Sequence, residues 1–175
     1  MQLVYSNGIT LSWLQREEIM RIYNTLKEEH IKRYYNLHYM TQRNLPKDQF
    51  IDLFNVEGLK IHNQYFLNMT PGSFTRVHSD NNDLVKQTSI TLLENNDLEG
   101  GEIIVYEPHY KSDMVVPEDG SVINRYHDEY NPGEPVIPIV VKQGIGETIT
   151  YGPNVQHSVS KVLKGNRLVL VTWYE

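Results

Sequence analysis

The sequence contains no cysteine at any of its 175 positions. This absence excludes disulfide bonds, zinc sites built on thiolates and cysteine nucleophiles. The sequence also has no apolar run that approaches membrane-spanning length, and its first residues lack a basic start followed by an apolar stretch. We therefore expect a chain without a membrane segment and with a cytoplasmic location.

Positive charge is also scarce, because 16 lysines and arginines stand against 22 acidic residues, for a formal net charge of -6. This balance does not favour a nucleic-acid partner held through phosphate contacts. With 39% hydrophobic and 22% charged residues, the composition is typical of a soluble globular chain that is long enough to bury a core. We predict a single domain over residues 1–175, with a helical N-terminal support at 1–58 and a β-strand core at 59–175.

The N-terminal third shows apolar residues at helical spacing. Ser12 is a residue type that caps helices, and the spacing predicts a helix from there to about Glu29. Pro46 is favoured in a first helical turn and Gly58 is typical of a helix end. A second, short helix is therefore predicted between Pro46 and Gly58.

From Leu59 onward the pattern changes to short β-type runs separated by turn residues. Many short strands behind two helices favour an antiparallel barrel or jelly roll. The predicted strands are Leu59–Met69, Val85–Leu93, Glu102–Tyr106, Val136–Val141, Glu147–Tyr151, Val155–Leu163 and Arg167–Tyr174.

Two potential metal ligands, His78 and Asp80, flank Ser79 in a stretch that we expect to be extended. Alternate side chains of a strand point to the same face, so these two could bind one ion. A neutral imidazole and a carboxylate suit a first-row divalent metal, and an open site of this kind commonly takes another histidine from far along the chain. His157 is the candidate third ligand. Arg167 follows it and is a planar cation of the type that binds a carboxylate through two parallel hydrogen bonds.

The spacing of His157 and Arg167 suggests how both could face the interior. If residues 164–166 form a three-residue turn, the strands on either side make a hairpin in which odd-numbered residues share a face. His157 and Arg167 would then both point inward.

The C-terminal half resembles the iron(II)- and 2-oxoglutarate-dependent oxygenases, most closely the prolyl-4-hydroxylase-like branch. That branch combines His-x-Asp, a Gly-Gly-Glu strand start, the pattern His-x-Val-x-x-Val-x-x-Gly-x-Arg and a late tryptophan. Here these elements are His78-Ser79-Asp80, Gly100-Gly101-Glu102, the run from His157 to Arg167, and Trp173.

The resemblance implies a double-stranded β-helix (jelly roll) and a dioxygenase activity. It implies iron(II) bound by His78, Asp80 and His157, and 2-oxoglutarate anchored by Arg167 in a pocket lined by Trp173, with ascorbate a candidate additional cofactor. The implied reaction is hydroxylation of a C–H bond with molecular oxygen, and the substrate that it favours is a prolyl residue of a peptide or protein.

Other functions and other interpretations of the same residues stay open. The chain could be a non-catalytic β-helix binding module, or an oxygenase acting on a free amino acid or on nucleic acid. His157 could be a hydrogen-bonded core histidine, Arg167 a surface ion-pair partner and Trp173 a plain core residue. A rival ligand pair, His127 and Glu129, lies in a segment whose composition indicates a long loop.

Two features depart from the branch. Its members place a tyrosine nine residues before the first metal histidine, and here Met69 stands there, with Tyr65 a candidate replacement. The segment from Pro108 to Pro138 also exceeds the compact family minimum, so we expect it to select substrate or cover the site.

Overall fold

The computed structural model describes residues 5–30, 40–80, 84–106 and 138–175. It contains one α-helix, eleven strands and two 3₁₀ turns in that part of the chain. In chain order these are β1 (Ser6–Thr10), α1 (Trp13–Thr25), β2 (Glu29–His30), β3 (Met40–Asn44), the 3₁₀ turns Lys47–Gln49 and Asp52–Phe54, β4 (Ile61–Met69), β5 (Thr75–His78), β6 (Gln87–Glu94), β7 (Ile103–Tyr106), β8 (Pro138–Val141), β9 (Glu147–Tyr151), β10 (His157–Val159) and β11 (Arg167–Tyr174).

The strands form two sheets. A seven-stranded sheet has the order β1-β9-β6-β11-β4-β3-β2, and a four-stranded sheet has the order β5-β10-β7-β8. Every strand pair that the structure describes is antiparallel. Apolar side chains of both sheets pack into one buried cluster, for example Ile90 and Val169 of the large sheet against Val105 and Val141 of the small one. The predicted β jelly roll is confirmed.

The helix α1 packs on the outer face of the large sheet. Ser12 caps its N-terminus as predicted, in a capping box in which the Ser12 hydroxyl accepts from the Gln15 N–H and the Gln15 side chain accepts from the Ser12 N–H. Ile19 is buried among outward-facing sheet residues such as Phe66 and Leu170. The helix ends at Thr25, before the predicted end at about Glu29, because Glu29 and His30 pair with β3.

The second predicted helix is wrong. Residues 46–58 contain only the two short 3₁₀ turns, and contacts with the neighbouring sheet interrupt a longer helix. The Ile51 N–H donates to the Gln64 side chain, and the Phe54 carbonyl accepts from the Tyr174 hydroxyl. The described part of residues 1–58 is also not purely helical, since β1, β2 and β3 all join the large sheet.

The hairpin expected between β10 and β11 is absent from the described residues. β10 pairs with β5 and β7 in the small sheet, whereas β11 pairs with β4 and β6 in the large one. The chain crosses between the sheets over residues 160–166, where the Leu163 N–H donates to the Glu99 carbonyl and the Asn166 N–H to the Asn96 carbonyl. His157 and Arg167 are nevertheless both buried, because the inner faces of the two sheets oppose each other.

None of the helices in the described ranges combines the length and the apolar character that a membrane span requires.

Candidate metal centre

Three potential metal ligands converge between the two sheets. His78 ends β5 and stands directly opposite His157, the first residue of β10. Asp80 lies two residues beyond the end of β5, and its Oδ1 is 3.6 Å from His78 Nε2 and 3.5 Å from His157 Nε2. One ligand atom from each residue can be chosen so that all three lie within 4.8 Å of one another. Two imidazole nitrogens and a carboxylate oxygen form a donor set suited to a first-row divalent metal.

The backbone around His157 fixes which ring nitrogen is available. Its Nδ1 is 2.9 Å from the Val155 carbonyl oxygen, which can only accept, so Nδ1 carries the proton. Nε2 therefore presents its lone pair toward Asp80 and His78. Burial, reinforced by the neighbouring His78 and opposed by Asp80, lowers the pKa of His157 to about 4. The ring is thus neutral at physiological pH, which is the form that binds metals.

Two hydroxyl groups orient the Asp80 carboxylate. Thr88 donates to Asp80 Oδ2 at 2.8 Å, and the Tyr151 hydroxyl lies 3.3 Å from the same oxygen. These contacts engage Oδ2, and Oδ1 is the carboxylate oxygen that lies 3.6 Å and 3.5 Å from the two histidines. Hydrogen bonds to the other oxygen of a carboxylate fix it in the orientation of a metal ligand.

Tyr151 is a buried residue that contacts two of the three potential ligands. Its side chain is only 4% exposed, and its hydroxyl also lies 3.1 Å from His157 Nε2. Burial, with the Asp80 charge as a smaller contribution, raises the pKa of Tyr151 well above its ordinary value. The phenol therefore stays protonated and serves as a hydrogen-bond donor.

Arg167 is a buried cation without a matching acid. Arg167 is 3% exposed, and its Nη2 has no hydrogen-bond partner among the described residues. Nη1 lies 3.7 Å from the Met69 sulfur, and no carboxylate of the described ranges is within ion-pair distance. Burial lowers the pKa of Arg167 to about 10, so the guanidinium remains charged near neutral pH. An unpaired buried charge is costly, so this position favours an anionic ligand.

A cavity of about 490 Å³ adjoins the Arg167 side chain. Its lining combines the Gly100-Gly101 turn and polar groups such as Gln143 and Lys142 with apolar residues of the sheets. The volume is that of a small-molecule pocket. A small dianion could therefore reach Arg167 without displacing the core.

The Gly100-Gly101 pair belongs to the wall of this cavity. Both residues have positive φ angles, 75° and 67°, which favour glycine. A side chain on Gly100 would collide with the carbonyl oxygen of Lys161, and one on Gly101 would approach the Arg167 side chain to 3.5 Å. The turn therefore holds residues 96–101 against the crossing segment that leads to Arg167.

We expect Gly100→Ala to lower the free energy of unfolding by about 2–4 kcal/mol, because it adds backbone strain to a steric clash. Chemical denaturation measures this change. Gly152→Ala is the matched control, since nothing lies within 4 Å of a Cβ there and its φ is not positive. Equal, small effects of the two substitutions would contradict the steric role of Gly100.

The low pKa of His157 makes the stability of the metal-free protein depend on pH. The pKa of His157 is about 4 in the folded protein and near 6.5 in the unfolded chain. Between these two pH values the unfolded chain binds one more proton than the folded protein. The contribution of His157 to the free energy of unfolding is therefore complete above pH 6.5 and is lost as the pH falls toward 4. We expect the free energy of unfolding to decline less steeply over this window in His157→Gln than in the wild type. Denaturation in the presence of a chelator at several pH values measures the two slopes, and parallel slopes would contradict the assignment.

Trp173 pairs with Thr88, whose hydroxyl binds Asp80, and it packs edge-on against Tyr65 with ring centroids 6.0 Å apart. Arg167 stands six residues before it on the same strand. The role of Trp173 in a cosubstrate pocket stays a prediction, and Trp173 is not among the residues that line the cavity at Arg167.

The pairing of β4 with β11 shows which residue lies beside Arg167 at the position where the branch has a tyrosine. Met69 pairs directly with Arg167, whereas Tyr65 pairs with Val171, four residues along β11. Tyr65 therefore does not occupy the place beside Arg167. The rival pair His127 and Glu129 lies outside the described residues, as does nearly all of the loop predicted between Pro108 and Pro138.

Sequence reasoning gave no role to Thr88 or Tyr151. Thr88 stands in an ordinary strand pattern that carries no signal for a ligand partner. Tyr151 could have been found by alternation, because Ile149 and Tyr151 point inward together at the end of β9, just before the segment that supplies His157. Its two polar contacts depend on long-range packing that the sequence alone does not reveal.

No protein-family model matches the sequence, and no curated protein matches it either. Several solved structures, however, match the structure of this chain. A 2OG-Fe(II) oxygenase family oxidoreductase from Burkholderia pseudomallei has a TM-score of 0.68 at 18% identity, covering 98% of this chain and 85% of that one. A prolyl-4-hydroxylase from Pseudomonas putida has a TM-score of 0.59 at 13% identity, covering 98% and 92%. HygX from Streptomyces hygroscopicus, crystallised with nickel, 2-oxoglutarate and hygromycin B, has a TM-score of 0.61 at 12% identity, covering 98% and 82%.

At these identities the likeness concerns the fold. The chain has the jelly-roll fold of the 2OG-Fe(II) oxygenases, and its converging histidines and aspartate lie between the two sheets of that fold.

Proposed function

We propose that this protein is an iron(II)- and 2-oxoglutarate-dependent oxygenase that hydroxylates a C–H bond. One observation carries the proposal above all. A His-Asp-His cluster lies in the same interior as a buried arginine whose Nη2 has no partner. A metal alone would explain the cluster, and an anion alone would explain the arginine, but a metal-chelating dicarboxylate explains both.

The donor set fits iron(II). His78 Nε2, His157 Nε2 and Asp80 Oδ1 would hold the ion, while Val155, Thr88 and Tyr151 fix the orientations of the ligands. Because the protein offers only three donors here among its described residues, the remaining coordination positions stay open to small ligands.

Arg167 fits the far carboxylate of 2-oxoglutarate. A buried guanidinium can bind a carboxylate through two parallel hydrogen bonds, and the orphaned Nη2 supplies one of the donors. When bound together, iron and 2-oxoglutarate supply the oxidising power to hydroxylate a C–H bond with molecular oxygen, giving succinate and carbon dioxide. The surrounding residues of the two sheets, such as Ile90 and Val169, exclude water from the interior in which this chemistry would take place.

For the substrate, we propose a prolyl residue of a peptide or protein. The order of the sequence motifs and the fold shared with the Pseudomonas putida prolyl-4-hydroxylase support this choice. A small-molecule substrate is the second candidate, favoured by the structural likeness to HygX, which was crystallised with hygromycin B bound.

Turnover tests both levels of the proposal. The protein would be incubated in air with iron(II), ascorbate, 2-oxoglutarate and a panel of proline-containing peptides, free amino acids and aminoglycosides, with succinate measured for each. We expect succinate to rise above the substrate-free rate with at least one proline-containing peptide. Stimulation only by small molecules would reject the prolyl assignment. A protein that binds both metal and 2-oxoglutarate but forms no succinate with or without any of them would be a binding module.

A further inference from the structure

The hydroxyl of Tyr151 lies between two of the proposed metal ligands. It is 3.1 Å from His157 Nε2 and 3.3 Å from Asp80 Oδ2, and its ring packs against the His157 ring with centroids 4.6 Å apart. The side chain is buried at the end of β9. Packing thus holds the phenol in place while its hydroxyl faces two acceptors.

The Tyr151 hydroxyl faces two acceptors with a single proton. A protonated phenol has one hydrogen to donate, and His157 Nε2 and Asp80 Oδ2 are both acceptors, because the His157 proton is committed to the Val155 carbonyl. Asp80 Oδ2 has a second donor in Thr88, whereas Tyr151 is the only described donor to His157 Nε2. A metal ion would take the Nε2 lone pair, and the Tyr151 hydroxyl would then have only Asp80 Oδ2 to bind.

We propose that Tyr151 is a positioning residue of the metal site, an inference that rests on the proposed function. Before metal arrives, its hydroxyl donates to His157 Nε2, so this buried lone pair is not left without a hydrogen-bond partner. On metal binding, it transfers its hydrogen bond entirely to Asp80 Oδ2. Together with Thr88 it then restrains Asp80 to ligation through Oδ1 alone, which preserves the open coordination positions that a chelating cosubstrate needs.

Tyr151→Phe tests this role, because it removes the hydroxyl while leaving the ring in the core. Tyr106→Phe is the matched control: Tyr106 is also a buried tyrosine, on β7 of the small sheet, and its hydroxyl contacts Ser158 rather than a metal ligand. Manganese(II) is the probe, and its affinity is measured from the free-ion electron paramagnetic resonance signal without 2-oxoglutarate or substrate. We expect the Kd to rise about 10- to 100-fold in Tyr151→Phe, as is typical when a residue that hydrogen-bonds to a metal ligand is replaced, and to stay within about twofold in the control.

A second readout reports the hydrogen bond itself. Addition of zinc(II) should perturb the near-ultraviolet absorption of tyrosine in the wild type and in Tyr106→Phe, because the Tyr151 hydroxyl exchanges an imidazole acceptor for a carboxylate. The same addition at saturation should leave Tyr151→Phe without this change. A structural role alone would alter the melting temperature and would not produce the metal-dependent signal.

The outcomes separate the two proposals. If the wild type binds manganese(II) and Tyr151→Phe binds it equally tightly, the role of Tyr151 is overturned and the proposed function stands. A wild type that binds metal without any tyrosine signal overturns the role as well, whether or not the variant folds. If the wild type binds no divalent metal, both proposals fail.

Discussion

Replacing Arg167 with methionine is expected to weaken 2-oxoglutarate binding strongly while leaving the metal-free fold as stable as the wild type, or more stable. Arg167 is buried, and among the described residues its guanidinium has a polar contact with the Met69 sulfur alone. Replacement of a poorly compensated buried charge by an apolar side chain of similar length is commonly neutral or stabilising. Loss of the partner of a desolvated carboxylate costs about 2–5 kcal/mol, so the affinity should fall by about 30-fold to about 5,000-fold.

Anaerobic calorimetry with the metal-loaded protein measures this affinity, and denaturation measures the stability. Arg43→Met is the matched control, because Arg43 has the partners that Arg167 lacks. It pairs with Glu28 at 3.1 Å, donates to the Tyr23 carbonyl and lies over the Tyr23 ring. The control should lose stability and keep its affinity for 2-oxoglutarate. The opposite pattern, with Arg167→Met unstable but still binding, would make Arg167 a structural residue.

Replacing His157 with alanine is expected to remove metal binding and with it all turnover. His157 supplies one of three donors. Its loss should therefore weaken metal affinity by more than the roughly 10- to 100-fold that is typical when a residue hydrogen-bonded to a metal ligand is replaced. A metal at 100 times its Kd stabilises the folded state by about 2.7 kcal/mol. The wild type should therefore melt at a higher temperature when metal is added, and His157→Ala should not.

His62→Ala is the control for this substitution. His62 is a partly buried histidine whose Nδ1 lies 3.1 Å from Glu175, outside the metal cluster. Its variant should retain both the metal-induced shift in melting temperature and the metal content after dialysis. A His157→Ala protein that still gains thermal stability from metal would place the ion elsewhere and remove the basis of the proposed reaction.

The strands that form the inner faces were largely predictable because their physical signals are local. β9 and β11 coincide with their predicted limits, and β4, β6 and β7 differ from theirs by one to three residues. Each of these strands shows either alternating apolar and polar residues or a continuous apolar run, with turn residues on both sides. β1 was missed because Ser6–Thr10 is a polar, fully exposed edge strand that is defined only by its pairing with β9. The helix predicted after Pro46 failed because sheet contacts to Gln64 outweighed a favourable first-turn residue.

The metal ligands could be anticipated because their spacing is a property of the chain, whereas their support comes from packing. His78 and Asp80 are separated by one residue in the sequence, and the motif around His157 identified it as the third ligand. His157 and Arg167 do not share the predicted hairpin. They lie on strands of different sheets, and both are buried because the inner faces of those sheets oppose each other. Thr88 and Tyr151 come from strands whose sequences reveal no such role, and only the assembled sheets bring their hydroxyls to Asp80.

The most direct test of the central claim is an anaerobic titration of the metal-free protein with iron(II) and then with 2-oxoglutarate, followed by visible absorption. Chelation of iron by the keto-acid end of 2-oxoglutarate produces a weak metal-to-ligand charge-transfer band. We expect that band in the wild type, with half-saturation at a much higher 2-oxoglutarate concentration in Arg167→Met and no band in His157→Ala. If iron(II) binds and 2-oxoglutarate produces no band at any concentration, the protein does not assemble the proposed cosubstrate complex, and the oxygenase assignment is contradicted.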